Sequence, residues 1–137
     1  MAKIAVVGSR DFPHLAAVRR FVLGLPKGTT VVSGGARGVD REAELAAFDA
    51  GHEVLILFAD WKTHGKRAGL IRNVQIVECA DVVMAFHDGK STGTMHTVSL
   101  AKQAGKPCEV YVCKRAPKGV SDNPGVLKPL PQGFWKK

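Results

Sequence analysis

Five short apolar runs, residues 3–7, 29–33, 53–58, 82–86 and 108–112, punctuate this chain, and a stretch of helical character separates each from the next. Rich in valine and isoleucine, with little polar alternation, they read as strands buried on both faces. Strands that alternate with helices need right-handed crossovers and give a parallel sheet covered on both sides. The expected fold class is therefore α/β, a single doubly wound parallel sheet of about five strands. Its expected strand order is 3-2-1-4-5, which opens a crevice at the carboxyl ends of strands 1 and 4.

The helical stretches carry their own punctuation. Asp11-Phe12-Pro13 reads as a helix start, with Asp11 or a neighbour as cap and Pro13 in the first turn. Leu15, Val18, Phe21, Val22 and Leu25 follow at helical spacing, and Pro26-Lys27-Gly28 stops them. Residues 38–50 form a second helix with Val39, Ala43, Ala46 and Ala47 inward, closed by Gly51. Residues 59–67 read as a polar loop. Residues 68–79 read as a helix with Leu70, Val74 and Val77 on one side, and residues 93–104 as another, ended by Gly105 and Pro107. The domain expected is 1–113, followed by a basic Pro-rich tail, 114–137.

The loops that border the crevice hold most of the glycines outside linkers. In VVGSRDF, residues 6–12, Gly8 ends the first strand and Ser9 and Arg10 leave the sheet at the crevice. In VVSGGARGVD, residues 31–40, Gly34 and Gly35 permit close backbone approach, Arg37 offers a charged donor, and Asp40 opens a helix as capping group or ligand contact. In ADWKTHGKRAGLIRN, residues 59–73, Asp60 and Trp61 precede a basic cluster. A tryptophan beside cations can stack a base while the cations hold phosphate. There Arg72-Asn73 is favoured as a contact, whereas Lys62 and Lys66 read as solvated. DGKSTGTMH, residues 88–96, imitates the end of a phosphate loop, but Met84 stands where the first glycine of that motif belongs. Its Ser91, Gly93 and Thr94 instead offer an anion site at a helix N-terminus, with Asp88 bonding a ribose or ending the turn.

The formal net charge of +8 implies attraction for phosphate, on a small nucleotide or on a nucleic acid. Cys79, Cys108 and Cys113 have neither disulfide-framework nor zinc spacing, which points to a reduced cytoplasm. No apolar run is long enough to span a membrane, and no secretory leader is read at the start. No acid–base–nucleophile constellation stands out, so the site reads as a binding site first.

The motifs GSRDF, SGGARGVDREAE, ADWKTHGKRAGLIRN and AFHDGKSTGT, in this order over roughly residues 4–112, resemble the YspA-type branch of the SLOG superfamily. That resemblance implies a Rossmann-like nucleotide-binding domain with Gly34, Gly35, Arg37, Asp60, Arg72, Asn73, Gly93 and Thr94 in the pocket. Its relatives include LOG-type phosphoribohydrolases and DprA/Smf, which binds single-stranded DNA. LOG enzymes carry an acidic pair after the Gly-Thr, and here His96 and Thr97 stand in its place. Glycosidic cleavage needs a carboxylate near the ribose, so this departure argues against LOG-type catalysis.

The expected function is binding of a nucleotide or nucleotide-derived ligand, as sensor or sequestering protein. The alternatives are a hydrolase of such a ligand and a DprA-like single-stranded nucleic-acid binder. Mg²⁺ accompanying a nucleotide is left open, no resident metal is expected, and a homodimer or higher homo-oligomer is expected.

Overall fold

A computed structural model describes residues 2–114, and the predicted tail lies outside the described residues beyond Lys114. The strands are β1 (Lys3–Gly8), β2 (Thr30–Ser33), β3 (Glu53–Ile56), β4 (Val82–His87) and β5 (Cys108–Val112). The helices are α1 (Leu15–Leu23), α2 (Val39–Ala50), α3 (Trp61–His64), α4 (Ala68–Cys79) and α5 (Thr92–Gln103), with a 3-10 turn at Gly65–Arg67. The sheet is five-stranded in the order β3-β2-β1-β4-β5, and every pairing is parallel. The α/β class and strand order expected from the sequence are therefore the ones observed.

Both faces of the sheet are covered, which explains the unalternated apolar runs. Ile4, Val6, Val31, Met84 and Phe86 point into one core with α1 and α2. Ala5, Val7, Val32, Val83 and Ala85 point into the other with α4 and α5. Phe12, Phe21, Phe86 and Tyr111 form an edge-on cluster in the first core, with Phe12 and Phe86 centroids 5.6 Å apart.

The cluster explains one departure from the sequence reading. Phe12 is buried, so the chain turns through Ser9–Phe12 to insert it, and α1 begins only at Leu15. His14 is the N-cap without a side-chain bond, and Pro13 precedes the helix. Three further departures lie later in the chain. Residues 61–67 are helical turns rather than open loop, started by Asp60, whose carboxylate accepts the Thr63 amide at 3.1 Å. The buried face of α4 is Ala68, Asn73, Ile76 and Val77, while Leu70 and Val74 are exposed. A third strand shorter than expected leaves Phe58 exposed beyond its end.

The end of α4 has no glycine stop. Ala80 leaves it extended, and the Lys106 ammonium donates to the carbonyls of Val77, Glu78 and Ala80. A cation at a helix C-terminus meets both its orphan carbonyls and its dipole. Lys106→Met is expected to destabilise the domain by about 1–2 kcal/mol, read as a lowered urea midpoint with unchanged slope.

Candidate functional site

The carboxyl ends of β1 and β4 open on a cleft of about 590 Å³. Its walls come from the β1 exit (Gly8, Arg10, Asp11), the start of α2 (Ala36, Asp40), the α3–α4 region (Lys66, Gly69, Arg72, Asn73) and the β4–α5 loop (Asp88 to Thr94). This is the switch point where parallel sheets place ligands.

Three backbone devices build the walls. Gly38 carries a φ of +78°, and a Cβ there would lie 2.4 Å from the Arg10 carbonyl oxygen. The start of α2 therefore packs directly on the β1 exit. Ser9, fully buried, accepts the Asp88 amide at 3.1 Å and ties β1's exit to β4's. Asp88 accepts the amides of Lys90 and Ser91, each at 2.9 Å, and shapes the loop before α5. Burial pushes that carboxyl's pKa up, but the two amides and the Ser9 hydroxyl outweigh it and hold it below the usual range.

Arg72 is the hub of the side-chain network. It donates through Nη1 to the Gly34 carbonyl and through Nε to Asn73 Oδ1 at 3.2 Å. Buried Asn73 reaches on through Nδ2 to the Gly93 carbonyl at 3.4 Å and to His96 Nδ1 at 3.2 Å. One chain of contacts thus links the β2–α2 loop, α4 and the first turn of α5. Ser91 caps α5 by accepting the Thr94 amide at 3.3 Å. The amides of Thr92 and Gly93 precede it and have no carbonyl within the helix to bond. A Cβ on Gly93 would meet nothing within 4 Å, so the space over this turn is open to the cleft. An anion is favoured there.

Asp40 behaves differently from Asp88. It is buried in the first turn of α2, with Oδ2 accepting the Ala36 amide at 3.2 Å. The Ala36 amide of the 34–38 turn is therefore taken by the chain's own carboxylate. Burial raises its pKa to about 6, against the pull of the Ala36 amide, of Arg72 and of the Gly34 amide. Folded Asp40 thus holds a proton over a range where the unfolded chain has released it. Stability should fall as pH rises from about 4 to 6, by roughly 2–3 kcal/mol from this group. Asp40→Asn should flatten that part of a stability–pH profile measured by chemical denaturation.

Several residues read from the sequence as site residues stand elsewhere. Gly34 and Gly35 serve internal packing: a Cβ on Gly34 would crowd the Arg72 guanidinium at 2.7 Å, and one on Gly35, at φ +73°, would meet Phe58 at 2.5 Å. Ser9 is buried beneath the cleft, and Arg37 is exposed outside the lining. Asp60 is spent on capping α3, and Trp61 is exposed against Gly69 rather than in the cleft. The positions that do line it are Gly8, Arg10, Asp40, Arg72, Asn73, Asp88, Ser91, Gly93 and Thr94. Lys66, read as solvated, joins them, as do Lys90 and Thr97. Only the turn after α3 brings Lys66 over the sheet, and no spacing rule signals that. Among the described residues Cys79, Cys108 and Cys113 form no disulfide, and no group of three His, Cys, Asp or Glu side chains could hold a metal. No helix among them is long and apolar enough to cross a membrane.

Comparison with known proteins bears on this arrangement. The Gene 61 protein of Mycobacterium phage D29 is 43% identical to this chain, over 60% of this chain and 70% of the phage protein. The chain belongs to the family of that phage protein. Residues 1–65 also match the family model described as DNA recombination-mediator protein A. DNA processing protein A (DprA) from Streptococcus pneumoniae is similar in structure, with a TM-score of 0.69 and 20% identity over 87% of this chain. This chain spans about half of that protein, 52% of its length. DNA processing protein A from Helicobacter pylori, described with a single-stranded DNA binding mode, matches with a TM-score of 0.61 and 24% identity over 90% of this chain and 70% of that one. The structural likenesses show the fold. Together with the family model they carry the DprA part of the resemblance and leave the YspA-type branch as a reading of the motifs alone.

Proposed function

We propose that this member of the phage-protein family binds single-stranded DNA, seating backbone phosphate over the first turn of α5 and a nucleotide in the cleft. The observation that carries this reading is the cleft's set of cations. Arg10, Lys66, Arg72 and Lys90 come from four different segments and converge on one groove beside open helix amides. Asp11, Asp40 and Asp88 share the lining, Asp40 facing Arg72 electrostatically and Asp88 turned to backbone amides, so the four cations outnumber the carboxylates without being free of them. The net charge of +8 and the DprA-type likeness support the same reading.

The test is fluorescence anisotropy with a labelled single-stranded oligonucleotide across a salt series. Binding should weaken steeply as salt rises, with a slope that counts the phosphates neutralised. An affinity insensitive to salt, or binding of mononucleotides as tight as of the oligonucleotide, would sink it. The second outcome would favour the other reading, a nucleotide sensor or sequestering protein. One observation supports that reading: the cleft volume, about 590 Å³, lies in the range of small-molecule sites.

A further inference from the structure

The chain leaves the sheet at the same end as the cleft. In a parallel sheet every strand ends on one side, and β5 lies one strand spacing, about 4.8 Å, from β4. The Cys113 amide donates to the His87 carbonyl at 2.9 Å, so the ladder with β4 continues past Val112. Lys114 then lies exposed along the β4–α5 loop: a Cβ on Gly89 would stand 3.1 Å from its Cγ and 3.4 Å from its Cε. Gly89 is flanked by Asp88 and Lys90, both in the cleft wall. Residue 115 therefore follows from the rim of the cleft, not from the far end of the sheet.

The sequence beyond that point is charged in one sense. Residues 114–137 hold six cations, Lys114, Arg115, Lys118, Lys128, Lys136 and Lys137, and a single carboxylate, Asp122. They carry five of the chain's formal net charge of +8, and all the residues before them carry three. A basic segment on its own is most simply solvated. This one begins beside a groove where Arg10, Lys66, Arg72 and Lys90 and the open turn of α5 already favour phosphate. A cleft of about 590 Å³ encloses a ligand of small-molecule size. A longer strand has to leave it across the rim, with its phosphates outside. Cations that meet them there release counterions and tighten binding.

We propose that residues 115–137 are a second part of the single-stranded DNA site, their cations neutralising the phosphates of nucleotides that leave the cleft past Lys114. This inference rests on the DNA-binding reading and extends its footprint.

The experiment sets the wild type beside a full-chain variant that combines Arg115→Gln, Lys118→Gln, Lys128→Gln, Lys136→Gln and Lys137→Gln. All five positions lie outside the described fold, and circular dichroism with a urea midpoint verifies the domain. Anisotropy is read with labelled oligo-dT of four and of sixteen nucleotides across a salt series. The wild type is expected to bind the longer strand on the order of 100-fold more tightly at 0.1 M salt, through phosphates that the cleft does not reach. The variant should lose that advantage. Its slope of log affinity against log salt for the longer strand should fall by about 2–3, at roughly 0.7 per phosphate. The four-nucleotide strand should bind both proteins alike. A slope unchanged in the folded variant overturns the inference and leaves DNA binding by the cleft standing. So does a wild type that binds both strands equally, which needs no variant to read. An equal loss for both strands also overturns it, because the cations would then act as a general field and not on the outgoing strand. Failure of the wild type to bind either strand overturns the DNA-binding reading, and this inference with it.

Discussion

Replacing Gly38 by alanine is expected to lower the unfolding free energy by about 2–5 kcal/mol. Two penalties combine at this position. Gly38 has φ +78° and ψ −124°, a conformation that side-chain-bearing L residues rarely adopt. A Cβ there would also stand 2.4 Å from the Arg10 carbonyl oxygen and 2.8 Å from its Cα, so the β1 exit would have to move off α2. Gly51 offers the control. It has nearly the same φ, +76°, but its ψ of 17° is that of the left-handed helical region, and a Cβ there meets nothing within 4 Å. Gly51→Ala should therefore cost about 1 kcal/mol, the penalty of a left-handed residue alone. Urea denaturation of both variants, followed by circular dichroism, reads the excess at Gly38. Equal losses would show that neither its rarer backbone conformation nor the close approach of α2 to Arg10 adds to that penalty.

Arg72→Ala is expected to weaken single-stranded DNA binding by about 10- to 100-fold, the loss of a charge-assisted contact together with the order it imposes. The guanidinium bonds two protein acceptors at once, Gly34 O through Nη1 and Asn73 Oδ1 through Nε. Asn73 in turn holds the Gly93 carbonyl at the first turn of α5. Arg72→Lys keeps the charge but presents no planar fork, so it should recover only a small part of the affinity. Full recovery by lysine in the anisotropy assay would reduce Arg72 to a point charge and remove its positioning role.

The buried strands were readable because their apolar runs are long enough to fill both faces of a sheet. The order of the sheet followed because crossover handedness leaves few choices for such an alternation. The start of α1 was not readable: Pro13 is a good first-turn residue, but burying Phe12 against Phe86 and Tyr111 delays the helix. The face of α4 was misread for a related reason. Leu70 and Val74 are as apolar as Ile76, and only the position of the sheet decides that Ile76 and Asn73 face inward.

The site divides along the same line. Glycine loops at strand exits are local features, so Gly8, Gly93 and the Ser91–Thr94 cap could be placed from the chain alone. Arg72 and Asn73 were found by their composition and neighbours. Whether a loop glycine serves a ligand or the protein is decided by what packs beside it, and Gly34 and Gly35 turn out to make room for Arg72 and Phe58. The sequence by itself determined the parallel sheet, its switch point and the concentration of loop glycines and helix-start hydroxyls there, because strand burial and helix-start chemistry act over a few residues. Only the tertiary structure decided that Lys66 reaches the cleft and that Asp60 and Trp61 do not. Lys66 meets the β1 and β4 exits, distant in the chain, only through the fold, whereas Asp60 and Trp61 are taken up by near neighbours, Thr63 and Gly69, once the turns of 61–67 form.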